Sequence, residues 1–426
     1  MRKEAEIIVV GSGAGGATVA RELARRGKKV LVLEKGKERN WAIGRVWAYL
    51  FIYDILRTRE GVIIRRGITP GGSTVIYSGN SFDPPEWLKD EIGIDISKEV
   101  QETKKELGIK PLPEEFYKCW EGERRLVESA GELGINMTPQ EKFINPDLCD
   151  PSCDSCLFGC SRGAKWTARS YLKEAQEMGA ELISSAEVKK VLIEGGKAVG
   201  VLAQCEGKKE LEAYAEKVIL CAGGVGTPWI LQASGIKAGE GFFTDPMSLL
   251  LGVSKNAGTF REMTFSYASA DFPGKFMIGT TGALNSFFAQ LARLNFKSIL
   301  RLPRYKNLVG MFVKLCDQAV GKVEPDGKIS KPLTQLDHER KEEGIELAKK
   351  IMIRAGVEPD SILVARYIGG HPGGSAGIGR VVNSQLESEV KNLYVCDASV
   401  LPRSLGIPLV LTLVALAKKF TREILM

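Results

Sequence analysis

The chain has 426 residues, of which 44% are hydrophobic and 26% charged. This is an ordinary composition for a globular protein long enough for two or three domains. The formal net charge of +7 is modest, and no basic tract carries interleaved aromatic residues, which argues against nucleic acid as a partner. No apolar run reaches the length of a membrane span. The charged N-terminus leads straight into a strand without a signal peptide, so we expect a cytoplasmic protein.

A complete βαβ pattern opens the chain. A strand-like run precedes the segment from Gly11 to Gly16, a helical stretch follows, and the strand 30–33 ends at Glu34. The first glycine permits a tight turn, Gly13 lets the backbone approach a pyrophosphate, and Gly16 lets the helix pack closely. Glu34 has the spacing of a carboxylate that binds the adenosine ribose, and it would repel a 2′-phosphate. The pattern therefore predicts FAD or NAD.

Further elements follow in chain order. Residues 41–58 are unusually apolar and aromatic, which favours a helix buried under another layer over a docking or membrane-surface face. An amphipathic helix is expected at 165–180. The subsequent strands are expected around 181–184, 189–194, 199–204 and 217–220, the last of them buried and leading into Gly223 and a helix.

The second half is less regular. Residues 287–313 combine apolar residues with Arg293, Lys297, Arg301, Arg304 and Lys306, which favours a substrate-domain wall over a segment lying on a membrane or a partner. A charged helix is expected at 338–356. A long apolar helix is expected from Pro408 onward.

Four cysteines form a compact C-x3-C-x2-C-x3-C run, namely Cys149, Cys153, Cys156 and Cys160. Disulfides are disfavoured in a reducing compartment. Structural zinc sites usually combine two separated pairs, whereas a single run of thiolates suits an iron–sulfur cluster. The spacing favours a cluster of the [4Fe-4S] type, with zinc and an unmetallated thiol loop as alternatives. The other cysteines are expected to be small buried side chains: Cys119, Cys205, Cys221, Cys316 and Cys396.

Four separated motifs together carry a family resemblance. They are the opening βαβ unit, the loop from Gly71 to Ile76, the segment from Gly223 to Ile236, and the tail with Gly370-His371-Pro372 followed by Asp397-Ala398. In order and spacing the chain resembles the glucose–methanol–choline (GMC) family of FAD-dependent oxidoreductases over nearly its whole length. Only the middle third is short and divergent. The cysteine run is similar to that of the iron–sulfur-containing sugar and alcohol dehydrogenase branch.

The resemblance implies an α/β fold, in which a Rossmann-like FAD-binding domain is interleaved with a smaller α+β substrate domain. The FAD-binding domain is expected to comprise residues 1–110, 165–250 and 361–426. Residues 111–164 would form a helical segment with the cysteine loop, and 251–360 the substrate or cap domain.

The same resemblance implies site residues. The ADP half of FAD would meet the opening glycines and Glu34, the adenine would meet the backbone of Val188, and Asp397 and Ala398 would close over the ribityl chain and the isoalloxazine. The full set implied to bind FAD is Gly11, Gly13, Ala14, Gly15, Gly16, Glu34, Lys35, Gly71, Gly72, Ser73, Val188, Ala222, Gly223, Asp397 and Ala398.

The chain has two histidines. His371 occupies the position of the family's active-site histidine, which would accept the substrate hydroxyl proton near the flavin N5; an imidazole titrating near neutrality suits that role. His338 lies in a charged helical start and is expected at the surface. The family's second active-site residue, an asparagine or histidine, falls on Pro408, which has no polar side chain. Either another residue, such as Tyr77 or Ser78, supplies the missing polar group, or the reaction is not a simple alcohol oxidation.

These implications favour an FAD-dependent dehydrogenase that oxidises an alcohol or sugar hydroxyl by hydride transfer to the flavin. Electrons would then pass through the cluster to a protein or quinone acceptor, so an electron-acceptor subunit and a peripheral membrane contact are expected. The alternatives are a non-catalytic electron-transfer or assembly subunit and a flavin reductase running in the opposite direction.

Overall fold

A computed structural model of the chain describes residues 1–256, 258–282, 306–365 and 367–424. Its centre is a five-stranded sheet in which all neighbouring strands run parallel. The three middle strands are buried along nearly their whole length, as expected for a parallel sheet covered on both faces. In spatial order they are Leu393–Val395, Lys217–Leu220, Ile7–Val10, Val30–Leu33 and Glu181–Ile183.

Helices cover this parallel sheet. Ala14–Ala24 begins directly after the glycine turn and packs between two other helices, Ala168–Glu177 and Val410–Ile424. A smaller sheet lies against the helix Gly223–Ala233; its strands are Arg2–Glu4, Glu210–Tyr214, Lys197–Gln204 and Glu187–Glu194. This mixed α/β arrangement confirms the predicted fold class.

The second large element is a nine-stranded sheet whose strands come from distant parts of the chain. Its pairs are antiparallel except for Ile63–Gly67 with Ile368–Gly369. In spatial order the strands are Tyr53–Arg57, Ile63–Gly67, Ile368–Gly369, Met247–Val253, Leu308–Leu315, Phe276–Thr281, Tyr267–Ser269 and Thr138–Pro139, with Leu363–Val364 also paired to Met247–Val253.

The two faces of this nine-stranded sheet differ. Side chains alternate along each strand, so that Met311 and Val313 point to one face and Phe312 and Lys314 to the other. The first face packs under the helix Gln335–Arg354 and forms a separate hydrophobic core. That helix begins at a capping box made by Thr334 and Asp337, which satisfies free backbone donors at its start.

The remaining elements are short. A small antiparallel sheet contains Glu240–Phe242, Gly321–Val323 and Ile329–Ser330. The other helices among the described residues are Ala48–Phe51, Trp87–Asp90, Ser97–Leu107, Glu114–Lys118 and Glu121–Gly131. In the described part of the chain, no helix is both long and apolar enough to cross a membrane.

Two sequence interpretations change here. Residues 41–58 do not form a buried helix: they contain one short helix and a strand, and Trp41, Trp47 and Leu50 are at least half exposed. Of the basic stretch 287–313, the part from Leu308 is a buried central strand, while residues 283–305 lie outside the described residues. His338 is exposed, as expected. Of the five cysteines expected to be buried, Cys221 and Cys396 are, whereas Cys205 and Cys316 are half-buried and Cys119 is exposed.

Candidate active site

A long cavity of about 570 Å³ runs from the glycine turn of the parallel sheet to one face of the nine-stranded sheet. Its size falls in the range of cofactor and ligand pockets. Of the residues predicted to bind FAD, all but Gly16 and Gly71 line it, and His371 lines its far end. The structure thus gathers these residues in one cavity, although they come from the start, middle and end of the chain.

The glycine turn leaves room for a ligand at one position. Gly11 has a positive φ of 96°, and a Cβ there would lie 2.3 Å from the carbonyl oxygen of Cys221. A Cβ on Gly16 would lie 2.0 Å from the carbonyl oxygen of Gly11, which explains why that residue allows close packing without lining the cavity. A Cβ on Gly13, by contrast, would meet nothing within 4 Å. The cavity therefore reaches the backbone at Gly13, where a diphosphate would need to approach the start of the helix.

Glu34 is buried at the same end. Its Oε2 accepts hydrogen bonds from the backbone N of Ser12 at 3.0 Å and from the Ser12 hydroxyl at 2.5 Å, and Oε1 accepts one from the N of Gly36 at 2.7 Å. Burial raises the pKa of this carboxyl, against the effect of these donors. Since a carboxylate accepts about four hydrogen bonds, one site at Oε1 is left for a sugar hydroxyl. The residues at this end fit the adenosine half of FAD.

Asp397 lines the cavity, and its side chain forms its hydrogen bonds within the protein. Its Oδ2 accepts from the N of Gly223 at 2.8 Å and the Thr227 hydroxyl at 2.6 Å, while Oδ1 accepts from the N and hydroxyl of Ser399 at 2.8 and 2.6 Å. These four bonds use all of its acceptor sites. The side chain thus joins the C-terminal segment to the start of the helix Gly223–Ala233 and positions the backbone that lines the cavity.

At the far end, strand register assembles a charged group. Met247 lies opposite Lys314 on one side and Ile368 on the other. Asp245 lies two residues before Met247, and His371 lies three residues after Ile368. The pairing of these two strands therefore brings the side chains of Asp245 and His371 together. The Asp245 Oδ2 lies 3.3 Å from Nδ1 of His371 and 2.5 Å from Nζ of Lys314, and all three residues line the cavity.

Asp245 holds this group in place. Its side chain is fully buried, the Ser404 hydroxyl donates to its Oδ1, and its own φ is +46°, a region that few residues other than glycine adopt. Behind it, Asp317 accepts from the backbone N of Thr244 and of Asp245 at 3.2 and 2.9 Å. Asp317 is in turn paired at 3.0 Å with the buried Lys331. The strained backbone is thus fixed by a second buried ion pair.

The electrostatics of His371 favour the neutral imidazole. Its side chain is 27% exposed, and burial and the Lys314 ammonium lower its pKa, while Asp245 acts in the opposite direction. A hydrogen bond from Nδ1–H to Asp245 leaves Nε2 as the unprotonated nitrogen. His371 can therefore accept a proton at Nε2 from a molecule in the cavity.

Pro408 also lines this end, and the two residues expected to replace its missing polar group are engaged elsewhere. The Tyr77 hydroxyl donates to the carbonyl of Trp166 at 2.9 Å, and the Ser78 hydroxyl donates to Oδ1 of Asn80 at 2.7 Å. Lys314 is the polar side chain that stands next to His371 instead. Sequence reasoning missed it and Asp245, although one signal was present: Lys314 is the single charged residue in the otherwise apolar strand Leu308–Leu315.

The cysteine run lies in a loop beside the cavity. Cys156 is buried, and Cys149 and Cys160 pack against the same apolar cluster. Burial and the neighbouring thiols of Cys156, Cys160 and Cys153 raise the pKa of Cys149 to about 12. Across the described residues, His, Cys, Asp and Glu side chains form no group of three or more that could hold a metal ion. The arrangement of the described residues thus does not show the predicted iron–sulfur or zinc ligand set at Cys149, Cys153, Cys156 and Cys160.

Two buried lysines adjoin this loop. Lys165 donates to the carbonyls of Val75 at 3.1 Å and Cys156 at 2.6 Å. Lys142 donates to Oδ1 of Asn80 at 3.0 Å and to the carbonyl of Phe265 at 2.9 Å. Burial lowers the pKa of each lysine to about 8, against the effect of Cys156. The environment of the loop is therefore suited to negative charge.

Comparison with protein families gives two matches. The N-terminal and C-terminal profiles described as GMC oxidoreductase match residues 5–257 and 323–417. An uncharacterized protein of Methanocaldococcus jannaschii is 29% identical over 99% of this chain and 100% of its own length. An uncharacterized GMC-type oxidoreductase of Mycobacterium tuberculosis is 32% identical over 58% of this chain and 43% of its own.

More distant relatives have named activities. A long-chain-alcohol oxidase of Arabidopsis thaliana is 23% identical over 95% of this chain and 64% of its own length, so this chain is the shorter of the two. Among solved structures, pyridoxine 4-oxidase from Mesorbium loti superposes with a TM-score of 0.75 at 17% identity, covering 98% of this chain and 99% of that one. Formate oxidase from Aspergillus oryzae has the same score at 16% identity over 99% and 98%. These superpositions confirm the fold.

Proposed function

This chain belongs to the GMC oxidoreductase family, and we propose that it is an FAD-dependent dehydrogenase that oxidises an alcohol hydroxyl, with His371 as the base. The observation that carries the proposal is the hydrogen-bonding distance between His371 and Asp245 at the end of the cavity opposite Glu34. The Arabidopsis relative is named as an alcohol oxidase and its match covers 95% of this chain, which supports the same reaction class.

The bound flavin would supply a two-electron acceptor for hydride. The chain's own residues supply the remainder. Gly13, Glu34 and the backbone fixed by Asp397 would hold the cofactor, and Asp245 orients His371 through Nδ1, which leaves Nε2 available to a molecule in the cavity. His371 accepts the hydroxyl proton, which places negative charge on the substrate oxygen and favours loss of hydride from the adjacent carbon.

Anaerobic flavin reduction tests this proposal. Alcohols should bleach the flavin of the wild-type enzyme. His371→Ala should keep its FAD but lose substrate-driven bleaching by about 100-fold or more, the typical contribution of a positioned base. His338→Ala, at the exposed histidine, serves as the matched control and should behave as wild type. Unchanged reduction in His371→Ala removes His371 from the reaction. Failure of every alcohol to bleach the wild-type flavin favours an electron-transfer subunit.

We further propose that the loop of Cys149, Cys153, Cys156 and Cys160 takes up an iron–sulfur cluster and that the enzyme passes its electrons to a protein acceptor. The support is the compact spacing and the two buried ammonium groups beside the loop, which would offset the negative charge of a thiolate-bound cluster. The cysteine side chains would have to turn toward one another to bind it. Iron, acid-labile sulfide and zinc are to be measured in anaerobically purified protein. Stoichiometric zinc or no metal refutes the cluster.

The surface next to this loop is the proposed contact for the acceptor. Its exposed side chains are Trp41, Val46, Trp47, Leu50 and Ile55. The segment is tied to the cysteine loop by hydrogen bonds from the Gly44 N to the Phe158 carbonyl at 2.9 Å and from the Tyr53 hydroxyl to the Leu157 carbonyl at 2.7 Å. An exposed apolar patch of this kind marks an interaction site.

Replacing Trp47 and Leu50 with serine tests this contact. The double variant should keep its reoxidation by ferricyanide and lose reoxidation by protein fractions from the source cells. Equal loss with both oxidants would refute the assignment. Flotation of the wild type, but not the variant, with anionic phospholipid vesicles would identify a membrane surface as the partner instead.

A further inference from the structure

We propose that the substrate is an apolar alcohol with a single polar group, its hydroxyl held between Nε2 of His371 and Nζ of Lys314, and that a sugar is not the substrate. This inference rests on the proposed function, since it assumes that the cavity oxidises a hydroxyl. It goes further in naming the chemical class of the substrate and in assigning Lys314 as a catalytic residue.

The wall of the cavity beyond His371 is one face of the nine-stranded sheet. Phe312 and Lys314 point to this face, Leu249 lies opposite Phe312, and Met277 lies opposite Lys314. Phe265 meets Phe312 edge to face with ring centroids 5.0 Å apart. The apolar residues that line the cavity here are Phe82, Met247, Leu249, Phe265, Ala268, Met277, Phe312 and Ile368. The charged residue among these apolar side chains is Lys314, which is paired with Asp245.

The polar residues near this wall have their hydrogen-bonding groups occupied within the protein. The Asn80 amide donates to the Phe265 carbonyl at 2.8 Å, and its Oδ1 accepts from Lys142 and from the Ser78 hydroxyl. The Tyr77 hydroxyl faces the Trp166 carbonyl. A sugar would bury several hydroxyls against a wall that is mostly apolar and against polar groups already engaged within the protein, and unpaired buried polar groups are disfavoured.

Lys314 and His371 are different because each keeps a hydrogen-bonding atom available to a molecule in the cavity. An ammonium has three donors, of which one is directed to Asp245 at 2.5 Å. His371 keeps Nε2 when Nδ1 faces Asp245. The two side chains share Asp245 as a partner, so they lie within reach of one small group. Together they offer one acceptor and one cationic donor, which is the complement of one hydroxyl oxygen.

The reaction balances with these groups. The hydroxyl proton goes to Nε2 of His371. The C–H bond on the adjacent carbon breaks, its hydrogen and electron pair would be taken up together as hydride by the two-electron acceptor that bound FAD would supply, and the alcohol becomes a carbonyl compound. Lys314 donates a hydrogen bond to the oxygen, which carries negative charge at this stage and binds the ammonium more strongly than the neutral hydroxyl does. Lys314 thus supplies the contact that Pro408 cannot.

The test is anaerobic flavin reduction by 1-butanol, 1-hexanol and 1-octanol, with glucose and sorbitol in parallel. The apparent affinity should rise about fourfold per methylene, since each buried CH₂ is worth roughly 0.8 kcal/mol, and the sugars should give no bleaching. Bleaching by a sugar, or no dependence on chain length, overturns this inference while leaving the proposed function intact. Reduction by neither class contradicts both.

Variants distinguish the contribution of the apolar wall from that of Lys314. Met277→Gln places a polar side chain of similar shape in the wall and should flatten the chain-length dependence, whereas Met277→Leu should retain it. Lys314→Met should slow reduction by every alcohol by a similar factor of about 100-fold, as for loss of one oxyanion donor. Lys314→Arg should restore part of this rate.

FAD content and thermal unfolding show whether each variant is folded. Loss of chain-length dependence in Lys314→Met, or a normal rate in that variant with FAD bound, would overturn the assignment of Lys314.

Discussion

Replacement of Asp245 by asparagine is the most informative single change, because this carboxylate contacts both proposed catalytic side chains. Asparagine tolerates positive φ better than most residues, so the backbone at φ +46° gains little strain. The change removes the negative charge but keeps the shape. Lys314, whose side chain is 7% exposed, would then be a buried cation without its counter-ion. Breaking a buried pair in this way costs about 3–5 kcal/mol of folding free energy.

The effect on the rate of flavin reduction follows from the tautomer that His371 adopts. An amide can present its NH₂ to Nδ1 and stabilise the tautomer in which Nε2 carries the proton, which cannot act as a base. In a Ser-His-Asp triad the same change lowers kcat by about 10⁴. The distance of 3.3 Å between His371 and Asp245 is longer than an ideal charge-assisted bond, so we expect about 10²–10³, equivalent to about 3–4 kcal/mol.

The charges around His371 determine the direction in which the pH profile of the variant should shift. Asp245 raises the pKa of His371, while burial and Lys314 lower it. Removing the carboxylate therefore lowers this pKa further, and the acidic limb of flavin reduction should move to lower pH. Stopped-flow reduction across pH, together with urea unfolding, measures both effects. The double variant Asp245→Asn/Lys314→Met, which leaves no unpaired cation, should recover part of the lost stability. A wild-type rate with bound FAD, or a shift to higher pH, would refute the role of Asp245.

Three other changes have clear expectations. Gly13→Val fills the open position beside the glycine turn and should abolish FAD uptake on reconstitution, whereas Gly131→Val, also with no neighbour within 4 Å, should bind FAD normally. Lys331→Met leaves the buried Asp317 unpaired and should cost about 3–5 kcal/mol in urea unfolding; Asp317→Asn/Lys331→Met should recover part of it. Tyr77→Phe removes the bond to Trp166 and should cost about 1 kcal/mol of stability with little change in rate; a 100-fold loss in rate with FAD retained would make Tyr77 the second active-site residue.

The half of the molecule around the parallel sheet could be read from sequence because its signals are local. Residues 7–10, 30–33 and 218–220 are continuous apolar runs, and the glycines between strand and helix mark the turn. The expectations for Glu34 and His371 led to the cavity in which they lie. The prediction of a buried helix at 41–58 was wrong because it assumed that aromatic residues are buried, whereas part of the apolar surface of this segment is exposed.

The other half could not be read in this way. The nine-stranded sheet joins strands as distant in sequence as Tyr53–Arg57, Thr138–Pro139 and Ile368–Gly369, and no local pattern reveals such pairings. Lys314 and Asp245 become neighbours of His371 only through this register. The gap at Pro408 was visible in the sequence, but what fills it depends on tertiary structure.

The two buried ion pairs, Lys314 with Asp245 and Lys331 with Asp317, are better explained by positioning than by stability. The attraction between two buried charges is little larger than the free-energy cost of removing them from water. A protein with an apolar pair of similar volume at the same place is often as stable. Asp317 directs its carboxylate to the backbone of Thr244 and Asp245, at the point where the chain has positive φ. That contact fixes where the Asp245 side chain points, and Asp245 in turn fixes His371 and Lys314. Since a small displacement of reacting groups is costly to the rate, the inner pair should govern kcat, while the outer pair, which touches only backbone, should act through the placement of Asp245.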